Sequence, residues 1–223
     1  VLQVKGGRIV SVNWNGINNK GLADKDTVAA AGGYGMVKAS KLGKEWHEQA
    51  AAVEQYLVST QNTAFSTFDA AGKTDAITGA SMTVKTFYDL VKKALAAGPV
   101  AKGTYAKDGW FYAKAQAPDK SGFFATALVT IVNGRIVSVN LNAVHQSGGD
   151  SKFVRALKGA YKMNAAQGEW NIQIARVEAA IIQKQGFSSF AIKSDGKTDA
   201  ITGVSVMIGE YGPLFETALK GLQ

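Results

Sequence analysis

The 223-residue chain contains no cysteine, which excludes disulfides, zinc–thiolate clusters, iron–sulfur ligation and a thiol nucleophile. With 46% hydrophobic and 19% charged residues it can bury a core, so it is not a disordered chain, and no apolar run approaches the ~20 residues of a membrane helix. Its net charge of +8 is spread as 11 basic against 8 acidic groups over residues 1–99 and 14 against 9 over 100–223, without a basic stripe interleaved with aromatics, so no nucleic-acid partner is expected.

The chain starts at Val1, as a trimmed or processed protein would, and any signal peptide or lipid-anchoring cysteine would lie upstream. A strand from Val1 meets Gly6-Gly7 and resumes through Ile9, Val10 and Val12, the pattern of a hairpin. A loop with Tyr34, Gly35 and Met36 follows Gly32-Gly33, and Trp46, Ala50, Val53 and Leu57 then fall at i, i+4, i+7 and i+11, one face of a helix. The run from Asp75 to Thr83 leads into a second helix, for which Phe87, Leu90, Val91, Ala94 and Leu95 form the expected apolar stripe and Gly98-Pro99 the stop. Residues 108–116 read as a strand. Phe123, Ala125, Ala127, Val129 and Ile131 alternate up to the turn Asn133-Gly134, and Val137, Val139 and Leu141 continue beyond it. Trp170, Ile174, Val177 and Ile181 then repeat the helical spacing, with Gly186 as the expected stop.

Much of this second half repeats the first. Gly7–Asn13 recurs as Gly134–Asn140 at an offset of 127, and Gly72–Gly79 recurs as Gly196–Gly203 at 124. Glu45-Trp46 and Val53-Glu54 recur as Glu169-Trp170 and Val177-Glu178, also at 124. Collinear matches of this kind predict a duplicated α+β fold, an antiparallel hairpin or sheet packed with helices, with copies at 1–99 and 100–223. The strand at 108–116 has no counterpart in the first copy, which is expected to be N-terminally truncated or to have lost it.

The segment Thr78-Gly79-Ala80-Ser81-Met82-Thr83, behind Asp75, carries the chemistry. Small residues let backbone N–H groups approach a ligand, and the mouth of the following helix suits a phosphate. Ser81 is expected to cap that helix, with Thr83 at its second position, and Asp75 either to order the loop as an Asx turn or to help present Thr83. The equally available reading is an ordinary capped helix whose hydroxyls make only local hydrogen bonds.

This run resembles the flavinylation signature of the FMN-binding domain family, which includes the C and G subunits of ion-pumping oxidoreductases and surface lipoproteins of extracellular electron transfer. The resemblance implies that Thr83 is the phosphoester acceptor for FMN, placed there by a flavin transferase, with Asp75, Thr78, Gly79, Ala80, Ser81 and Met82 forming the surrounding loop. It also implies a lipid-anchored or periplasmic electron carrier, exposed outside the cytoplasm. Such a carrier takes electrons from a membrane quinol or NADH dehydrogenase-type donor and passes them to an extracellular or periplasmic acceptor. An electron-feeding module of a flavin-dependent reductase and a non-redox surface module are the alternatives.

The second copy departs from the signature. Met207 stands where Thr83 does and has no hydroxyl, Val204 replaces Ala80, and Gly209, Glu210, Gly212 and Pro213 alter the helix start, so one FMN on the first copy is expected. Trp46 and Trp170 are expected in the core. Trp14, with Asn15 and Gly16 behind it at a strand end, is the candidate ring contact, since Leu141 replaces it in the copy without an acceptor. His47 and His145 are isolated, so no metal site is expected, and no nucleophile elbow, P-loop or dinucleotide fingerprint is present.

Overall fold

Both predicted hairpins turn on residues held in the left-handed region, Gly6 and Gly7 at φ 53° and 75° and Asn133 and Gly134 at φ 50° and 72°. That geometry matches the twist of the flanking strands, which is why these dipeptides stand there. In the computed structural model, which describes residues 1–222, the protein is α+β and forms two compact units. The first comprises Val1–Gly16 and Lys25–Pro99, the second Ile17–Asp24 and Val100 onward. Residues 17–24, expected within the first copy, therefore belong to the second unit. There the Asn19 carbonyl accepts from Asn142 Nδ2 at 2.9 Å and from Ser151 Oγ, and the Gly21 carbonyl accepts from the Tyr112 hydroxyl at 3.0 Å.

In the first unit, β1 (Leu2–Lys5) and β2 (Arg8–Val12) pair antiparallel, followed by α1 (Lys25–Ala30), α2 (Met36–Ala39), α3 (Trp46–Thr60) and α4 (Lys85–Ala97). The spacing on α3 places Trp46, Ala50, Val53 and Leu57 in the core, each 3% exposed or less. A capping box starts this helix, with the Glu45 N–H donating to Glu48 Oε2 at 2.8 Å. The apolar stripe of α4 differs from expectation. Phe87, Tyr88 and Val91 are buried, whereas Leu90 and Leu95 are 49% and 42% exposed and Ala94 is exposed too. Tyr88 fills the core by stacking on Phe65, with ring centroids 5.0 Å apart, and burial pushes its hydroxyl up to about 12.

In the second unit, β3 (Gly109–Lys114), β4 (Phe123–Val132) and β5 (Arg135–His145) form an antiparallel sheet in the order β3-β4-β5. Helices α5 (Lys152–Leu157), α6 (Trp170–Lys184) and α7 (Tyr211–Ala218) complete it. The alternating set on β4 is buried as predicted, but so are Thr126, Leu128 and Thr130 on the opposite face, where Gly21 lies against Thr126 and Val144. Helix α6 packs on β5, and α7 packs on β3 and β4. The stop of α6 is also corrected: Gln185, not Gly186, adopts the left-handed conformation at φ 59°. Its side chain offsets the strain by accepting from Ile136 N and donating to the Ile136 and Ile182 carbonyls, all within 2.9 Å.

The same hydrogen bonds occur in the first unit, where Gln61 at φ 57° accepts from Ile9 N and donates to the Ile9 and Val58 carbonyls. Likewise Glu54 accepts from Trp14 N at 2.6 Å and Glu178 from Leu141 N at 2.7 Å. Each ties a helix to the strand it packs on. Both carboxyls are raised by burial, which the N–H donor only partly opposes; at Glu54 Asp26 adds to the rise and the amino terminus opposes it, and Glu178 is pushed to about 7.

An acid whose value in the folded state lies above its unfolded value favours folding most when protonated. The contribution of Glu178 is therefore full below pH 4.5, the ordinary value, and is lost as the pH rises to about 7. The variant Glu178→Gln, which keeps the acceptor oxygen, is expected to be more stable than the parent at pH 8 by roughly 2–3 kcal/mol, with the difference vanishing near pH 4. Denaturant melts at the two pH values check this, and a constant difference between them would refute it.

Candidate functional site

The loop leading into α4 is folded by its own polar groups. Asp69 Oδ1 accepts from the N–H groups of Ala71 and Lys73 at 2.9 and 2.8 Å, so the Asx turn belongs to Asp69, where Asp75 was expected. Asp75 and Thr78 are exposed. The turn brings the Gly72 carbonyl to the mouth of the helix, where it accepts from Val84 N at 2.8 Å and Lys85 N at 2.9 Å. Gly72 is required here, because at φ 72° an added Cβ would lie 3.0 Å from Thr83 Cγ2 and from Lys85 Cβ.

These bonds move the start of the helix. Its cap is Val84, with no side-chain cap bond, so Ser81 is not the cap and Thr83 lies just outside the first turn. Two N–H groups at the helix mouth are already taken by Gly72, which leaves the dipole there but removes those donors from any ligand.

Ser81 is instead held by Gln49, a wholly buried residue of α3. Gln49 Oε1 accepts from Ser81 N at 2.8 Å and from Ser81 Oγ at 3.2 Å, while Nε2 donates to Ser40 Oγ at 2.9 Å and to the Lys44 carbonyl at 3.1 Å. Both lone pairs and both amide hydrogens are thereby used, a full complement for this side chain. Ile77, Met82 and Val84 anchor the same loop in the core, so Met82 serves packing. Gly79 at φ 93° brings the backbone against α3, where a Cβ would lie 3.2 Å from Ala52 Cβ and 4.0 Å from Lys44 Nζ. Ala80 is half-buried.

Thr83 is exposed, and its hydroxyl donates to the Ala71 carbonyl at 3.1 Å. Among the residues singled out from sequence, Thr78 to Thr83 share this loop, while Trp14 and Asn15 come from the segment after β2, with Trp14 against Phe87 in the first turn of α4. The half-buried Trp14 ring packs on Trp46 and Phe87, with centroids 5.4 and 5.0 Å away. Asn15 Oδ1 accepts from Gly16 N and from Asp26 N in the first turn of α1. Both are thus engaged in holding the unit together. Tyr34 is 47% exposed and lies under Lys25 Nζ at 4.6 Å.

The second unit repeats the anchor without the hydroxyl. Gln173 Oε1 accepts from Ser205 N at 2.7 Å and Val206 N at 3.2 Å, and the Gly196 carbonyl accepts from Ile208 N and Gly209 N at 2.8 and 2.9 Å. Met207 takes the place of Thr83 and is 63% exposed. Arg176, standing where the first unit has Ala52, packs its guanidinium over Gly203 and donates to the Gly203 carbonyl at 2.7 Å. Glu210 faces Lys152 and Asp119, and burial raises its carboxyl, the nearby Lys152 opposing.

Sequence reasoning missed Gln49 and its partner Gln173. The signal was present, since both stand three residues after the repeated Glu-Trp pair. Among the described residues, no group of three or more His, Asp or Glu is placed to hold a metal ion.

No family model and no curated protein matches the chain. Two solved structures resemble it. One is the solution NMR structure of a Clostridium thermocellum protein, 39% identical over 52% of this chain and 95% of that one, with a TM-score of 0.41. The other is the crystal structure of a Clostridium perfringens protein, 22% identical over 52% of this chain and 88% of that one, with a TM-score of 0.36.

Removing the Gln49 amide leaves Ser81 N without its partner and opens a cavity between α3 and the loop. Gln49→Ala is therefore expected to cost about 2–4 kcal/mol and to speed amide exchange selectively at Ser81. Thermal melts and residue-resolved hydrogen exchange measure both, and an unchanged Ser81 rate would refute the anchoring role.

Proposed function

We propose that this chain is an electron carrier built from two tandem copies of an FMN-binding domain, working outside the cytoplasm. One FMN is joined through its phosphate to Thr83 Oγ1. The observation that carries this reading is the exposed hydroxyl of Thr83 on a loop otherwise anchored by the buried Gln49 and by Gly72. A transferase needs such an accessible oxygen, and a fixed loop then holds the product in one place. Only the 3.1 Å bond to the Ala71 carbonyl must be given up when the hydroxyl proton is replaced by phosphorus.

The site suits a phosphodiester in part. Residues of this chain that would hold its single negative charge are Lys44, whose ammonium lies beside Gly79, and the amino-terminal end of α4. At an exposed position each contributes about 0.3–1 kcal/mol. Covalent attachment, and not these weak attractions, keeps the group in place. When bound, the isoalloxazine supplies the reversible electron chemistry.

The second unit supports a single attachment. A thioether at Met207 cannot form the ester, and the guanidinium of Arg176 covers the loop at Gly203, where the first unit has only the methyl of Ala52. A membrane quinol or NADH dehydrogenase-type donor and an extracellular or periplasmic acceptor complete the proposed relay, with the protein anchored at the cell surface or free in the periplasm.

Protein made together with a flavin transferase is expected to carry an added mass of roughly 440 Da on the peptide containing Thr83. Thr83→Ala should remove both the mass and the flavin fluorescence that survives denaturing gel separation, while Met207→Thr should add no second group. An unmodified Thr83 peptide, or fluorescence persisting in Thr83→Ala, would overturn the assignment.

A further inference from the structure

One loop is longer and more basic in the first unit than in the second. Between Tyr34 and Glu45 stand ten residues, with Lys38, Lys41 and Lys44 at every third position and no acid among them. Between the matching Tyr161 and Glu169 stand seven, of which Lys162 alone is charged. All three lysines of the longer loop are exposed, and none is in an ion pair among the described residues. Glu45, the next acid along the chain, is 6% exposed and serves the cap of α3. Val37 and Leu42, 46% and 43% exposed, stand among the lysines.

The basic loop is fixed against the loop that bears Thr83. Ser40 Oγ accepts from Gln49 Nε2 at 2.9 Å and from Leu42 N at 3.1 Å, and lies 3.2 Å from Ser81 Oγ. Glu45 Oε1 accepts from Val37 N at 3.4 Å. Thr83 follows Ser81 by two residues, so at most about 7 Å of chain separates them. In the second unit Gln173 Nε2 donates to the Gly168 carbonyl, in a loop that has no serine.

We propose that this loop docks the acidic surface of a redox protein beside Thr83. The inference rests on the reading of Thr83 as the flavin site and describes, by its charge, the partner with which that site exchanges electrons. Three like charges within ten residues repel one another and bind no carboxylate of their own unit, so their attraction is left for an incoming anionic surface. Such attraction raises the rate of encounter more than the strength of the complex. A patch of three lysines and two apolar side chains is small, which suits the brief encounters of electron transfer, whose interfaces lie below about 1,200 Å². A lipid surface is the less favoured occupant, because a short basic loop without a deeper anchor holds a protein there only marginally.

The test adds a ferredoxin of net negative charge, as the probe, to the whole chain labelled for residue-resolved NMR, with and without flavin on Thr83. The expected result is shift changes confined to residues 34–45 and 78–83, with binding about tenfold weaker at high salt than at low. Lys38→Glu with Lys41→Glu should weaken binding about tenfold. Lys102→Glu with Lys107→Glu, an equal change of net charge at exposed positions of the second unit, should leave it within about twofold. In the flavin-loaded protein two reduced ferredoxins deliver one electron each and water supplies two protons, and this reduction of the flavin should slow about tenfold with the first pair alone. No shift at residues 34–45, an equal loss with both pairs, or stronger shifts from phosphatidylglycerol vesicles would overturn the proposal, the last by making a lipid surface the occupant. A Thr83 peptide without the flavin mass refutes the flavin site and with it the redox role of the partner, whereas flavin on Thr83 without docking at the loop overturns this inference alone.

Discussion

A buried side-chain amide, bonded at both its oxygen and its nitrogen, holds each unit's loop against its long helix. Gln49 and Gln173 are both fully excluded from water. A primary amide in that setting is tolerable only when both ends are satisfied, since each unpaired group costs about 1–3 kcal/mol. The backbone of the loop supplies the donors and the residues just ahead of the helix supply acceptors, so the loop has one low-energy position. The serine that looks like a helix cap is drawn into this arrangement. Once Ser81 is turned toward Gln49, the Gly72 carbonyl is left to meet the first N–H groups of α4, and Thr83 comes to lie outside the helix with its hydroxyl toward solvent.

How far the sequence could be read follows from which contacts are local. The core faces of α3 and α6 were legible because four apolar side chains at helical spacing leave one possible inward face, and all eight residues are buried. The hairpin turns were legible because Gly6-Gly7 and Asn133-Gly134 relieve a strain that other pairs would carry. Contacts between distant segments were not. The start of α4 depends on a carbonyl twelve residues upstream of its cap, and the placement of Trp14 depends on an aromatic partner on another helix. Polar residues with good local capping credentials misled where a nonlocal acceptor competed for them.

The exposed stripe on α4 illustrates a different limit. Periodicity identifies which side of a helix is apolar, but not whether anything lies opposite it. Leu90 and Leu95 continue the stripe that Phe87 and Val91 begin, and their counterparts Leu214 and Leu219 are buried in the second unit. The same pattern thus gives a buried face in one unit and an exposed one in the other among the described residues.

The two loops diverge in the side chains they present to solvent. The glutamine anchor, the glycine carbonyl at the helix mouth and the left-handed glutamine cap are kept in both units, and these groups maintain the fold. Thr83 against Met207 and Ala52 against Arg176 change only what the loop presents to solvent. The interior bonds are kept because each buried group left unpaired costs about 1–3 kcal/mol, whereas an exchange of exposed side chains carries no such cost.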